Sequence, residues 1–178
     1  MSRIRVPHSR WMATILVAGA MCGAGAATAS AATSAPVDAI CTHTATFTFT
    51  PGLGLVAKPT VFTASGSIPT CASTQVTSGT LSGGGTGNLG CLGGSASGTL
   101  VFDWVTSTGG AARSEVTLDA TSAGLLGAGL SGKVTSGLFV GDTYTVTFAM
   151  NPLPLVSCAL PGGLTQFSGQ ATFVLSQT

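Results

Sequence analysis

Charged residues are rare in this sequence, since six Lys and Arg and five Asp and Glu make up only 6% of its 178 residues. So few cations exclude the basic cluster that neutralises a nucleic-acid backbone and the polybasic patch that binds an anionic membrane. Aromatic residues also amount to only 6% of the chain. Gly, Ser and Thr take the place of helix formers, a composition that favours strands and turns.

The N-terminal part carries the pattern of a secretory signal peptide. Arg3, Arg5 and Arg10 precede the apolar run WMATILVAGAMCGAGAATASA, and Ala29-Ser30-Ala31 predicts the cleavage site. A retained transmembrane anchor is the alternative, but the second half of the run is mostly Ala, Gly, Ser and Thr rather than Leu, Ile or Phe. We therefore expect a signal peptide over 1–31, an N-terminal extension over 32–40 and a single β domain over 41–178, free of the membrane after cleavage.

Cysteine usage agrees with an extracellular location. One of the five cysteines leaves with the predicted signal peptide, and Cys41, Cys71, Cys91 and Cys158 remain. A zinc site is the alternative, but no two of them have the short spacing of a zinc knuckle, and His43 is the only histidine left. An even number of cysteines in an oxidising compartment predicts two disulfides, with no metal and no cofactor.

The segment CTHTATFTFT, residues 41–50, predicts the first strand, because Phe and Ala alternate strictly with Thr. A Gly- and Pro-rich stretch separates it from a second predicted strand over 60–68. If the two form a hairpin, the pairing carries back to Cys41 opposite Cys71. Cys91 and Cys158 are then left to bridge each other across a long loop.

Further alternating segments follow at short intervals, separated by turn signals. The complete set of predicted strands is 41–50, 60–68, 75–81, 98–105, 113–119, 131–137, 143–150 and 166–176. A short helix is conceivable only over 121–130, where three glycines disfavour it. The fold class is therefore all-β: an antiparallel, immunoglobulin-like β-sandwich or a small closed β-barrel of about eight strands.

Two glycine-rich stretches match nucleotide-binding patterns without their structural context. GTGNLG, Gly85–Gly90, fits the dinucleotide pattern G-x-G-x-x-G, but a cysteine and further glycines follow where a helix must begin. We interpret it as a hairpin loop tied down by Cys91. GAGLSGKV, Gly127–Val134, resembles a phosphate-binding loop, but Val134 stands where the pattern needs Ser or Thr.

No residue set in the sequence predicts catalysis. A Ser or Cys nucleophile needs a base, and His43 lies on the apolar face of the first predicted strand, where we expect a packed side chain. We predict no catalytic residue and no enzymatic activity.

One possible carboxylate site arises from strand register. Keeping the apolar faces of strands 98–105 and 113–119 together places Asp103 opposite Glu115, with Arg113 diagonal to Asp103. Such a pair is a weak calcium site, a glycosidase-like acid pair, or two carboxylates satisfied by Arg113 and solvent.

The chain after residue 31 resembles the small, disulfide-bonded secreted proteins of actinobacteria that have no assigned function. The features that carry the resemblance are TATFTFT, GTGNLGCLGGSASGTLVFDW and NPLPLVSCALPGG. In composition and cysteine count the chain is also similar to the enediyne-carrying apoproteins, which are two-disulfide sandwiches around a small chromophore. These resemblances imply a secreted protein, and no binding residue can be carried over from either group.

Three functions remain open at this point. One is a non-catalytic extracellular or cell-envelope module with an extracellular or cell-wall partner and no nucleic-acid partner. Another is a carrier of a small apolar molecule, held in an interior or cleft; a hydrolase of unrecognised type is a third alternative. The aromatic residues that would line such a cleft, or else fill a packed core, are Phe47, Phe102, Trp104, Tyr144 and Phe148.

Overall fold

Buried and exposed side chains alternate along the first strand of the fold. In the computed structural model, which describes residues 35–120, 129–148 and 155–178, Ala39, Cys41 and Ala45 are buried. The intervening Thr42 and Thr44 are exposed, as the period of a half-buried strand requires. The predicted signal peptide and the segment 121–128 lie outside the described residues.

The described residues form eight strands and one short helix, so each of the eight predicted strands is found. They are β1 Val37–Leu53, β2 Lys58–Ala72, β3 Val76–Gly90, β4 Gly93–Thr106, β5 Ala111–Ala120, β6 Gly129–Gly137, β7 Thr143–Phe148, α1 Leu155–Ala159 and β8 Leu164–Ser176.

The eight strands make one antiparallel sheet that closes on itself. Each strand pairs with the next along the chain, and β8 pairs with β1. Of the two all-β architectures expected, the closed barrel is therefore the one observed. The proximal end of the barrel is where β1 begins and β8 ends; the opposite, distal end carries the connections 54–57 and 91–92.

Most strands are longer than predicted, and two of the differences change the interpretation. β1 begins at Val37, so residues 37–40 of the expected N-terminal extension are part of the sheet. β3 runs on to Gly90, so the predicted glycine-rich hairpin loop over 85–90 is wrong. Glycine has a low strand propensity, but here residues 85–89 pair with both β2 and β4, and Gly90 pairs with β4.

Both predicted disulfides are present. Cys41 faces Cys71 in the β1–β2 ladder, although the register shifts between Thr42 and Thr44. Cys91 bridges Cys158 of α1, with 6.4 Å between their Cα atoms. The backbone N–H of Cys91 also donates to the Gly54 carbonyl at 2.8 Å, so the second bridge holds three connections together at the distal end.

The proximal half of the interior is filled by aromatic side chains. Phe102, Trp104, Tyr144 and Phe173 contact one another with ring centroids 5.1 to 6.2 Å apart. Phe139, in the connection between β6 and β7, covers the Trp104 ring edge-on at 5.9 Å. Aromatic pairs of this kind stabilise by about 0.5–1.5 kcal/mol beyond their buried area, so this half is a packed core.

Candidate functional site

Three half-buried phenylalanine rings face the interior of the barrel towards its distal end. Phe47 on β1, Phe148 on β7 and Phe167 on β8 lie in the inward-facing rows of their strands. Phe47 is directly opposite Phe167 in the ladder, and its ring meets that of Phe148 edge-on at 5.9 Å between centroids. The half-buried Leu130 of β6 extends the group to a fourth neighbouring strand. We call these four residues the apolar rim.

The other side of the barrel presents glycine to the interior. Between the buried Leu81 and Leu89, the alternate positions of β3 from 83 to 87 are all glycine. A Cβ on Gly85 would overlap the carbonyl oxygen of Ser97 on β4, so the close approach of the two backbones requires glycine there. This part of β3 adds no side chain to the interior. An eight-stranded barrel is filled by its side chains or encloses one small ligand. In the distal half Phe49, Phe62 and Leu89 are buried, while the three rim rings stay half-buried.

The five aromatic residues expected to line a cleft or fill a core divide between these two halves. Phe102, Trp104 and Tyr144 belong to the packed proximal core, where none is more than 2% exposed. Phe47 and Phe148 belong to the apolar rim and stay half-buried. The alternation of apolar residues in the sequence predicts that all five side chains face the interior. It does not predict which of them are fully buried and which are half-buried.

His43 lies on β1 at the boundary between the two halves. Its side chain is 3% exposed, and its ring centroid is 5.5 Å from that of Phe173 in the core and 6.4 Å from that of Phe148 in the rim. Burial lowers the pKa of the imidazole from 6.5 to about 4, so the ring is neutral at physiological pH. Within the described part of the chain, its Nδ1 atom has no hydrogen-bond partner. The expectation of a packed histidine is confirmed.

A carboxyl pair that the sequence did not indicate lies at the proximal end. Burial, and then the neighbouring carboxyl of Asp38, raises the pKa of Asp142 from 3.8 to about 6. The side-chain amide of Gln177 donates to both Asp38 carboxyl oxygens, at 3.3 and 3.2 Å. These three residues belong to β1, to the β6–β7 connection and to the segment after β8. Closure of the sheet brings them together, and no local sequence pattern predicts this contact.

The predicted facing of Asp103 and Glu115 is wrong. Asp103 pairs with Arg113, and Glu115 pairs with Val101, a register two residues away from the expected one. Arg113 and Asp103 approach to 3.7 Å between Nη1 and Oδ1, and both side chains are more than half exposed. The geometry for a calcium site or an acid pair is therefore missing. An exposed ion pair of this kind contributes at most about 1 kcal/mol.

Neither nucleotide-binding pattern has the structural context that it needs. Gly85–Gly90 lies within β3 and is followed by a turn and by β4, where a dinucleotide site requires a helix. In the second pattern, residues 127 and 128 lie outside the described residues, and 129–134 belong to β6. Over the described ranges, no three His, Cys, Asp or Glu side chains are close enough together to hold a metal ion.

Comparison with known proteins adds no assignment. No family model matches the sequence, and no curated protein or solved structure matches it either. Among the residues described, no helix has both the length and the apolar character needed to cross a membrane.

Proposed function

We propose that the protein is a secreted, non-catalytic β-barrel that carries one small apolar molecule in the distal half of its interior. The observation behind the proposal is the apolar rim, whose three half-buried phenylalanine rings lie across the interior from Gly83, Gly85 and Gly87 of β3. A ligand in contact with these rings would remove apolar surface from water on both partners, at about 25 cal/mol per Å².

The surroundings of His43 favour carriage over catalysis. A general base is usually oriented by a hydrogen bond from its second ring nitrogen, as in Ser–His–Asp sites. His43 is instead in contact with two phenylalanine rings, and no described residue forms a hydrogen bond with its Nδ1. The carboxyl pair of Asp38 and Asp142 is at the proximal end, away from the rim.

The two disulfides support an extracellular location for this carrier. Four cysteines joined in two bridges are typical of proteins that fold in an oxidising compartment. A carrier that works there needs a stable binding site, and the bridge between Cys91 and Cys158 secures the distal end next to the rim.

A fluorescence titration tests the proposal. The neutral apolar probe N-phenyl-1-naphthylamine should bind saturably and gain emission when it enters the barrel. Phe47→Ala and Phe148→Ala should each weaken binding roughly tenfold, because each removes a ring worth about 1–2 kcal/mol of contact. Leu92→Ala is the matched control, since Leu92 is also at the distal end but is 63% exposed on the outside.

The outcomes separate two of the functions expected from the sequence. An absence of saturable binding, or equal affinities for the wild-type protein and both rim variants, would refute carriage. An extracellular or cell-wall partner on the outer surface would then be the better proposal. Native mass spectrometry of the protein from its own host's culture medium gives the complementary result: an adduct that is lost on denaturation supports carriage and gives the ligand mass.

A further inference from the structure

His43 is the one histidine in the described part of the chain, and its buried ring lies between the apolar rim and the packed core. Its ring is next to Phe148, whose ring meets Phe47 in turn. On its other side is Phe173, a residue of the packed core with no exposure. His43 therefore places a polar group between the apolar rim and the filled core.

The buried Nδ1 atom gives this position an unmet hydrogen-bonding capacity. Leaving a buried donor or acceptor without a partner costs about 1–3 kcal/mol, so such atoms are rare in folded proteins. The rings of Phe148 and Phe173 in contact with His43 offer no conventional hydrogen bond. No described residue is a partner for Nδ1, so the atom is free to bond to a bound molecule.

We propose that His43 anchors the ligand, and that the ligand is an apolar molecule carrying one neutral hydroxyl group, such as a phenol or an alcohol. This inference rests on the proposed carrier function. A hydroxyl both donates and accepts, so it satisfies Nδ1 in either tautomer of the imidazole. A carboxylate does not fit the same position, because a charge buried against a neutral ring and phenylalanines lacks a compensating cation.

The experiment compares three probes of nearly equal size by isothermal titration calorimetry: 1-naphthol, 1-methylnaphthalene and 1-naphthoic acid. For the wild-type protein we expect 1-naphthol to bind about tenfold more tightly than 1-methylnaphthalene, which is a typical value for one buried hydrogen bond. The acid should bind more weakly than 1-naphthol at pH 7.

Two variants assign the preference to His43. His43→Leu should bind both neutral probes with equal affinity, because it keeps an apolar side chain and removes the polar atom. His43→Gln is the matched control and should retain part of the preference, since its amide also forms hydrogen bonds. The ¹⁵N chemical shift of His43 Nδ1 should change when 1-naphthol binds to the wild-type protein and stay unchanged with 1-methylnaphthalene.

The results distinguish failure of the anchor from failure of the carrier function. If no probe binds saturably to the wild-type protein, the carrier function itself fails. If all probes bind but with equal affinity, or if His43→Leu keeps the preference for 1-naphthol, carriage stands and the anchor is wrong. Tight binding of 1-naphthoic acid would overturn the assignment of a neutral hydroxyl.

Discussion

Replacement of Ser114 by alanine should expose how strongly the proximal core depends on one buried hydroxyl. The indole N–H of Trp104 donates to Ser114 Oγ at 2.9 Å, and the Ser114 hydroxyl donates to the Leu138 carbonyl. Trp104 and Ser114 are 2% and 1% exposed, so water does not replace the lost group at the indole. Phe139, which covers Trp104, follows Leu138 directly.

The magnitude follows from the two groups that Ser114→Ala leaves behind. A buried indole N–H without an acceptor costs about 1–3 kcal/mol, and the half-buried Leu138 carbonyl adds less because it reaches solvent more easily. We expect a loss of about 2–3 kcal/mol in the free energy of unfolding. A domain of this size has a total of about 5–15 kcal/mol, so the variant should still fold.

Urea denaturation followed by far-ultraviolet circular dichroism measures this loss, because this signal does not depend on the tryptophan that one of the variants lacks. Ser136→Ala, at an exposed position of β6, is the control and should change stability by less than about 0.5 kcal/mol. In a Trp104→Phe background, which has no indole N–H, Ser114→Ala should cost at least about 1 kcal/mol less than in the wild type. A loss for Ser114→Ala as small as that of the control would refute the reasoning.

Three further predictions concern stability. Gly137 and Gly109 both have φ +83°, but only at Gly137 would a Cβ overlap the Arg113 carbonyl oxygen. Gly137→Ala should therefore lower the free energy of unfolding, measured by urea denaturation, by at least about 2 kcal/mol more than Gly109→Ala. Equal losses would contradict this. Asp142 has a pKa of about 6 in the folded state against an ordinary value of 3.8, so its carboxyl group binds a proton more tightly in the folded state than in the unfolded state. The melting temperature should therefore fall as the pH rises from about 4 to about 6, and a slope that persists in Asp142→Asn would refute the assignment. Replacing Cys91 and Cys158 together by serine opens a bridge between residues 67 apart in sequence and should cost roughly 4 kcal/mol by chain entropy; a calorimetric loss below about 1 kcal/mol would contradict it.

Much of the barrel wall is predictable from local pattern. Alternation between apolar and hydroxyl residues marks the strands, because a strand with one wet face leaves a period of two in the sequence. The same pattern constrains pairing, and in the first hairpin it leads to the bridge between Cys41 and Cys71. Turn-rich composition and short spacing predict an antiparallel all-β fold, and of the two architectures expected the structure has the closed barrel.

The register of β4 and β5 shows where this reasoning stops. A shift of two residues keeps the same faces together, so apolar alternation is satisfied whether Asp103 faces Glu115 or Arg113. The connection over 107–110 decides between the two. There the Thr106 hydroxyl accepts from the Gly110 N–H at 2.9 Å, and the Gly109 N–H donates to the Thr106 carbonyl.

The candidate site depends on contacts between strands that are distant in sequence. The residues of the rim come from β1, β6, β7 and β8, and only closure of the sheet brings β8 beside β1. Gly83, Gly85 and Gly87 lie in a strand rather than a loop because β2 and β4 pair with β3 there, and β4 approaches them too closely to leave room for a Cβ. Local composition determines that this chain forms strands with one apolar face and two disulfides. Closure of the barrel decided which apolar residues are packed and which remain half-buried, and it placed His43 between the two groups. The physical reason is that the burial of a side chain depends on the residues that lie across the barrel from it.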